Sequence, residues 1–124
     1  LDPKGEICAW GGQQMSEAGA TILEDYKSIN FIGLSEVLSN LFHVNRMLKL
    51  CKQQIEQLRP DCLVLIDSPG FNLRIAAYAR QLGIKTTYYI SPKIWAWNKS
   101  RIRKIKESVD QMMVILPFEK QFYK

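Results

Sequence analysis

The sequence predicts an α/β fold with a doubly wound, mostly parallel sheet of Rossmann-like type. Three observations carry that prediction. Short apolar runs rich in β-branched and aromatic residues recur at 62–66, 85–90 and 111–116. Stretches with helical periodicity separate them, and strand alternating with helix at this spacing is the pattern of a parallel sheet. The run CLVLI (62–66) is also too short and too uniformly apolar for a surface helix, and it reads as a strand buried on both faces.

The elements follow in order. Residues 7–10 form a short apolar run, a strand candidate that stops at Gly11-Gly12. A polar segment leads to a second strand candidate at 21–23. From 35 to 58 the pattern is helical: Ser35 would cap it, and Val37, Leu38, Leu41, Val44, Met47, Leu48, Cys51, Ile55 and Leu58 recur at intervals of three and four. Pro60 disfavours a helical conformation at Arg59 and ends the helix. After the strand at 62–66, residues 71–82 form the next helix, and Gly83 suits the left-handed position beyond a helix end. Residues 85–90, with two Thr and two Tyr, form the next strand. A third helix at 99–108 precedes a strand at 111–116, which Pro117 closes.

With 124 residues, 47% of them hydrophobic, the chain can build one domain with a real core but not two ordinary ones. Residues 1–124 therefore read as a single Rossmann-like domain. Both ends look cut: no Met opens the chain, and 118–124 read like the start of another helix, so the expectation is a fragment of a larger protein. The net charge of +5 is unevenly placed. Lys85, Lys93, Lys99, Arg101, Arg103, Lys104 and Lys106 fall in one stretch without an acid, which suits phosphate, anionic lipid or nucleic acid unless it is simply a solvated helix face. Cys8, Cys51 and Cys62 are odd in number and lack CxxC spacing; with His43 as the sole histidine they make no zinc set, and a reducing compartment is expected. Cys62 reads as a small buried hydrophobe. No apolar stretch reaches the length of a membrane span, and no signal peptide heads the chain.

In open parallel sheets ligands bind beyond the carboxyl ends of strands. Asp67 and Ser91 follow CLVLI and TTYYI directly, so the loops 67–72 and 91–98 should face one crevice. A rigid strand would hold Asp67 in register, and partial desolvation there would suit a general base. The competing reading is that Asp67 only caps the following helix. Lys93, Trp95 and Trp97 put two aromatic faces beside a cation, as a sugar ring, a base or a lipid headgroup requires; packing at the sheet edge is the alternative. Gly11 and Gly12 resemble half a phosphate loop but lack both GxGxxG and GxxxxGK[ST]. His43 reads as structural. The segment 31–44 is more apolar than one helix stripe needs; Val37, Leu38, Leu41, Phe42 and Val44 are either core plus interface or a patch for acyl chains or a membrane surface.

Taken together, GGQQMSEAG (11–19), FIGLSEVL (31–38), LRPDCLVLIDSPGFNLR (58–74), YISPKIWAWNKSRIRKI (89–105) and VDQMMVILPFEKQFY (109–123) resemble the amino-terminal half of the lipid-A-disaccharide synthase family. The IDxPxFN and SPxxWAW segments are specific in combination; GGxxM alone is not. The resemblance implies the amino-terminal domain of a GT-B glycosyltransferase, with its active site in a cleft facing a carboxy-terminal domain that carries most UDP contacts. It implies inverting transfer from UDP-2,3-diacylglucosamine to 2,3-diacylglucosamine 1-phosphate (lipid X), without metal or other cofactor and without nucleic acid. Asp67 falls on the proposed base of that family. Asn72, Ser91, Lys93, Trp95 and Trp97 fall on the acceptor side, Gly11 and Gly12 on a loop near phosphate. The 37–44 patch would meet acyl chains or the membrane, and Arg101, Arg103 and Lys104 would meet anionic lipid on the cytoplasmic face of the bacterial inner membrane. One departure stands out: Gly70 occupies a position where family members commonly carry a second acid, so no paired-carboxylate mechanism is expected. Another nucleotide-sugar transferase acting on a lipid-linked acceptor, and a non-enzymatic anion- or nucleic-acid-binding module, remain the alternatives.

Overall fold

Two parallel sheets form, one in each of the two units into which the chain divides, Leu1–Met47 and Leu48–Lys124. The structure is a computed structural model that describes residues 4–25, 27, 37–91 and 99–123; at 37–40, 99–101, 122 and 123 it describes the backbone alone.

In the first unit, β1 (Cys8–Gly11) pairs in parallel with β2 (Thr21–Asp25), with a register shift between Ala9 and Trp10. Between them the polar segment forms a short helix, α1 (Gln13–Glu17), for which the sequence offered no apolar periodicity. It ends because Gly19 takes a left-handed conformation (φ 97°), which lets Gly19 N–H reach Ser16 O and Ala20 N–H reach Met15 O, both at 3.0 Å. That is a Schellman closure, and it supplies partners to carbonyls the helix end would leave open. The first turns of the long helix α2 (Val37–Leu58) also belong to this unit.

The second unit carries the last turns of α2 and a three-stranded parallel sheet in the order β3 (Cys62–Ile66), β4 (Lys85–Tyr89), β5 (Gln111–Met113). The connecting helices are α3 (Pro69–Gln81) and α4 (Lys99–Ser108). Gly83, at φ 73°, closes α3 as the sequence predicts: Gly83 N–H bonds Arg80 O and Ile84 N–H bonds Ala79 O, both at 3.0 Å. Leu65, Ile75, Ala76, Ala79, Ile84, Tyr88 and Ile105 form the buried core. Each fully buried aliphatic side chain of the size of Ile75 contributes about 1.5–3 kcal/mol, while Ala76 and Ala79, with almost no side chain, let α3 lie close to the strands. Tyr78 ties α3 to the end of α2, its hydroxyl donating to Glu56 and its ring lying 4.7 Å from the Lys52 ammonium.

At the amino end of the sheet, Asp110 joins β4 to the start of β5. Its Oδ2 accepts the Thr86 N–H at 2.8 Å, and the buried Thr86 hydroxyl donates to Ser108 O at 3.0 Å. The backbone N–H bond from Thr86 is the main cause holding the Asp110 carboxyl below its ordinary value.

The structure corrects several expectations. The strand at 62–66 is covered on one face only: Val64 is 59% and Ile66 48% exposed, and Cys62 is exposed as well. Both connections step in the same direction along the sheet, so right-handed crossovers put α3 and α4 on one side; on the other, Val64, Ile66, Tyr89 and Met113 are exposed. The last strand is shorter than 111–116 because its partner β4 ends at Tyr89, which pairs with Met113. Pro117 opens a 3₁₀ turn (Pro117–Glu119) that leads into α5 (Lys120–Tyr123). The helix after β3 begins at Pro69, two residues early, because proline is well suited to a first helical position.

Candidate active site at the carboxyl edge of the three-stranded sheet

Where β3 ends, the chain takes two consecutive left-handed residues, Asp67 at φ 51° and Ser68 at φ 44°. Where the adjacent β4 ends, Ile90 does the same at φ 67°. Left-handed backbone is uncommon for any residue but glycine and worst for a β-branched one; each such position costs about 1–3 kcal/mol and persists only where surrounding contacts hold it. The strain at these two strand ends is thus concentrated on one edge of the sheet.

The contacts that hold the Asp67 turn are all to its backbone. Asp67 N–H donates to Tyr89 O at 3.0 Å. The Asp67 carbonyl accepts the Asn72 Nδ2 at 2.8 Å and also the Tyr88 hydroxyl. Asn72 Nδ2 reaches Ile66 O as well, at 3.0 Å, and Asn72 N–H bonds Ser68 O at 2.9 Å. With both main-chain groups of Asp67 engaged, its carboxylate is left over. Asp67 is exposed, and no hydrogen bond or ion pair reaches that carboxylate from the described residues. It does not cap α3 either: the N-cap is Ser68, and no side-chain cap bond forms. The enclosed acid that the apolar run suggested is therefore an open one, able to receive a proton from a group outside the chain.

Ser91 follows Ile90 and is 6% exposed, with its Oγ lacking a partner among the described residues. Strand alternation would put residue 91 on the open face with 87 and 89; the left-handed residue before it breaks that alternation and turns Ser91 inward. Asn72 spends its amide nitrogen on the two backbone carbonyls, so only its Oδ1 is available to a ligand. Lys93, Trp95 and Trp97 lie outside the described residues. The structure thus joins Asp67 to Asn72 and sets Ser91 at the neighbouring strand end.

The remaining candidates fall elsewhere. At Gly11 the space a Cβ would occupy is filled by the Met15 side chain of α1. Gly12 is the N-cap of that short helix. On α2, Leu41 and Phe42 are exposed, Phe42 to 80%, and Val44 is half-buried; of Val37 and Leu38 only the helical backbone is described, as of Arg101 on α4. Arg103 and Lys104 are exposed, and Arg103 pairs with Glu107 at 2.8 Å, an exposed ion pair of small energetic weight. Burial pushes the thiol of the half-buried Cys51 up to about 12, which disfavours its thiolate. Gly70, in the first turn of α3, has open space where a side chain would stand. Among the described residues no helix is long and apolar enough to cross a membrane.

Sequence reasoning missed the Tyr88 hydroxyl, reading the residue only as a strand former. A signal was present: a tyrosine on the buried side of a strand needs a partner for its O–H.

A parallel Rossmann-like sheet whose carboxyl edge carries a carboxylate without a partner among the described residues has the layout of α/β proteins that bind ligands beyond their strand ends. Comparison with known proteins narrows the class. Residues 2–124 match the lipid-A-disaccharide synthetase family, and the chain belongs to it, a family of GT-B glycosyltransferases. It is 45% identical over 122 residues to a lipid-A-disaccharide synthase of Trichlorobacter lovleyi, covering 98% of this chain and 32% of that protein. It is 43% identical over 122 residues to lipid-A-disaccharide synthase 1 of Legionella pneumophila (98% and 32%), and 39% identical over 123 residues to the synthase of Coxiella burnetii (99% and 33%). The chain thus spans about a third of the length of these relatives.

Proposed function

We propose that this chain is the base-bearing part of a lipid-A-disaccharide synthase, which joins UDP-2,3-diacylglucosamine to 2,3-diacylglucosamine 1-phosphate. The observation that carries the proposal is the Asp67 carboxylate, exposed and unpartnered among the described residues, at the strand end of a chain that matches the family throughout. In the reaction the 6-hydroxyl oxygen of the acceptor bonds the anomeric carbon of the donor as the bond from that carbon to the UDP oxygen breaks. The hydroxyl proton passes to Asp67, and the electron pair leaves with UDP. Configuration inverts, and one base suffices because UDP departs as a stabilised anion. The transfer calls for no metal or other cofactor.

Asn72, Ser91, Lys93, Trp95 and Trp97 would bind the acceptor sugar in this reading, and Gly11 and Gly12 would lie near phosphate. The acyl chains or the membrane surface would meet Val37, Leu38, Leu41, Phe42 and Val44, a use that the exposure of Leu41 and Phe42 supports. Arg101, Arg103 and Lys104 would meet anionic headgroups, holding the protein peripherally on the cytoplasmic face of the inner membrane. The UDP contacts would come from a further domain of the same protein.

The test uses a polypeptide of the relatives' full length that carries this segment, supplied with the UDP donor and either lipid X or a polyprenyl-linked sugar acceptor. The expected result is one UDP released per lipid A disaccharide phosphate formed, with lipid X alone. Turnover of the polyprenyl-linked acceptor alone would assign the chain to a different nucleotide-sugar transferase.

A further inference from the structure

We propose that Tyr88 and Asn72 act as a positioning pair that aims the Asp67 carboxylate by clamping its carbonyl. The inference rests on the reading of Asp67 as base and adds two residues that touch no substrate through the groups concerned. Its ground is the geometry of one peptide oxygen. Asp67 O accepts from the Asn72 amide, on α3, and from the Tyr88 hydroxyl, on β4. Asp67 N–H is held by Tyr89 O. Three bonds thus fix the main-chain atoms of a residue whose own side chain is bonded to nothing among the described residues.

The turn needs such restraint. Asp67 and Ser68 are both left-handed, and two such non-glycine residues in succession relax toward extended or right-handed backbone unless held. Relaxation would rotate the Cα–Cβ bond of Asp67 and move its carboxylate, and a misplacement of about 1 Å can cost about 100-fold in rate. Tyr88 suits the task because it is fully buried in the core between α3 and the sheet, so its ring cannot follow the turn if the turn moves. Asn72 suits it because it stands on the first turn of α3 and links Ile66 O, in the ladder, to Asp67 O, outside it. The sheet thereby transmits its rigidity to a side chain one residue beyond its end.

The test is a double-mutant cycle in the full-length polypeptide. Tyr88→Phe removes the hydroxyl and keeps the ring, and the expected result is a fall in kcat of about tenfold with KM within about twofold and an unchanged pH profile. In an Asp67→Asn background the same substitution should change the residual rate by less than about twofold, because the group it aims is gone. If Tyr88→Phe lowers the rate equally in both backgrounds, or leaves kcat unchanged in the parent, the positioning role is refuted while the base assignment stands. If Asp67→Asn itself keeps normal turnover, the base assignment fails and the pair has nothing to aim. Should Tyr88→Phe fail to fold, Asn72→Ser carries the cycle, read on kcat at saturating acceptor because Asn72 Oδ1 also faces the acceptor in the proposed function. A fall that disappears in the Asp67→Asn background supports the clamp, and an equal fall in both backgrounds refutes it.

Discussion

Replacing Asp67 with Asn separates chemistry from structure unusually well in this fold. The substitution is isosteric, and it leaves the three hydrogen bonds that hold residue 67 intact because all of them are made by its N–H and carbonyl. The carboxylate itself has no partner among the described residues and is exposed, so no desolvated charge is added or removed. Asn also tolerates the left-handed conformation at φ 51° as well as Asp does. The stability change should therefore stay within about 0.5 kcal/mol, as for surface substitutions that break nothing. Turnover should behave otherwise. Asn accepts no proton, and loss of a general base lowers rates by about 10²–10⁴-fold, a barrier increase of about 2.7–5.5 kcal/mol. The assay is UDP release by the full-length polypeptide at saturating donor and acceptor, alongside thermal unfolding of the same preparation. A variant within threefold of parental activity would reduce Asp67 to a turn residue. A variant that loses several kcal/mol of stability would show instead that the carboxylate is part of the scaffold, and the proposed chemistry would lose its support.

Two further expectations follow from elements away from that turn. Leu41→Ser with Phe42→Ser should lower sedimentation with anionic vesicles several-fold while leaving the unfolding midpoint within a few degrees, because both side chains already face solvent; unfolding instead would make them core. Asp110→Asn should lower stability at neutral pH, and the gap to the parent should close in acid. The sign follows from linkage: the folded state holds the Asp110 carboxyl below its ordinary value, chiefly through the Thr86 N–H, so the unfolded chain takes up the proton first. The stabilisation is present above the unfolded value and is lost as pH falls through the folded one. A parent-to-variant gap that stays constant across the carboxylate range in denaturant titrations would contradict that account.

Two acids stand at opposite ends of the sheet, and their contrast shows how far local sequence reaches. Asp67 and Asp110 both adjoin apolar runs, Asp67 after its run and Asp110 before its own, and only that order distinguishes them locally. Asp110 is spent on Thr86, twenty-four residues distant, and on the start of a strand; Asp67 keeps its carboxylate because the bonds that hold its turn, from Asn72, Tyr88 and Tyr89, all go to its own N–H and carbonyl. The carboxyl-end rule for parallel sheets selected Asp67 before any coordinates, since strand direction is implied by the alternation of elements. The exposure of the carboxylate and the Tyr88 hydroxyl bond were not legible. They depend on which strand lies beside which, and at what register.

By itself the sequence determined the elements that short-range physics controls: the helical periodicity of 37–58, the stop at Pro60, the left-handed glycine after α3, and the strand run of 62–66. Only the tertiary structure decided which face of β3 is covered, where β5 stops, and how residue 67 is held. Periodicity and turn chemistry act over a few neighbouring residues and are written in them. Face, register and the partners of a peptide oxygen arise between segments distant in the chain, where packing chooses among arrangements that local preference leaves equal.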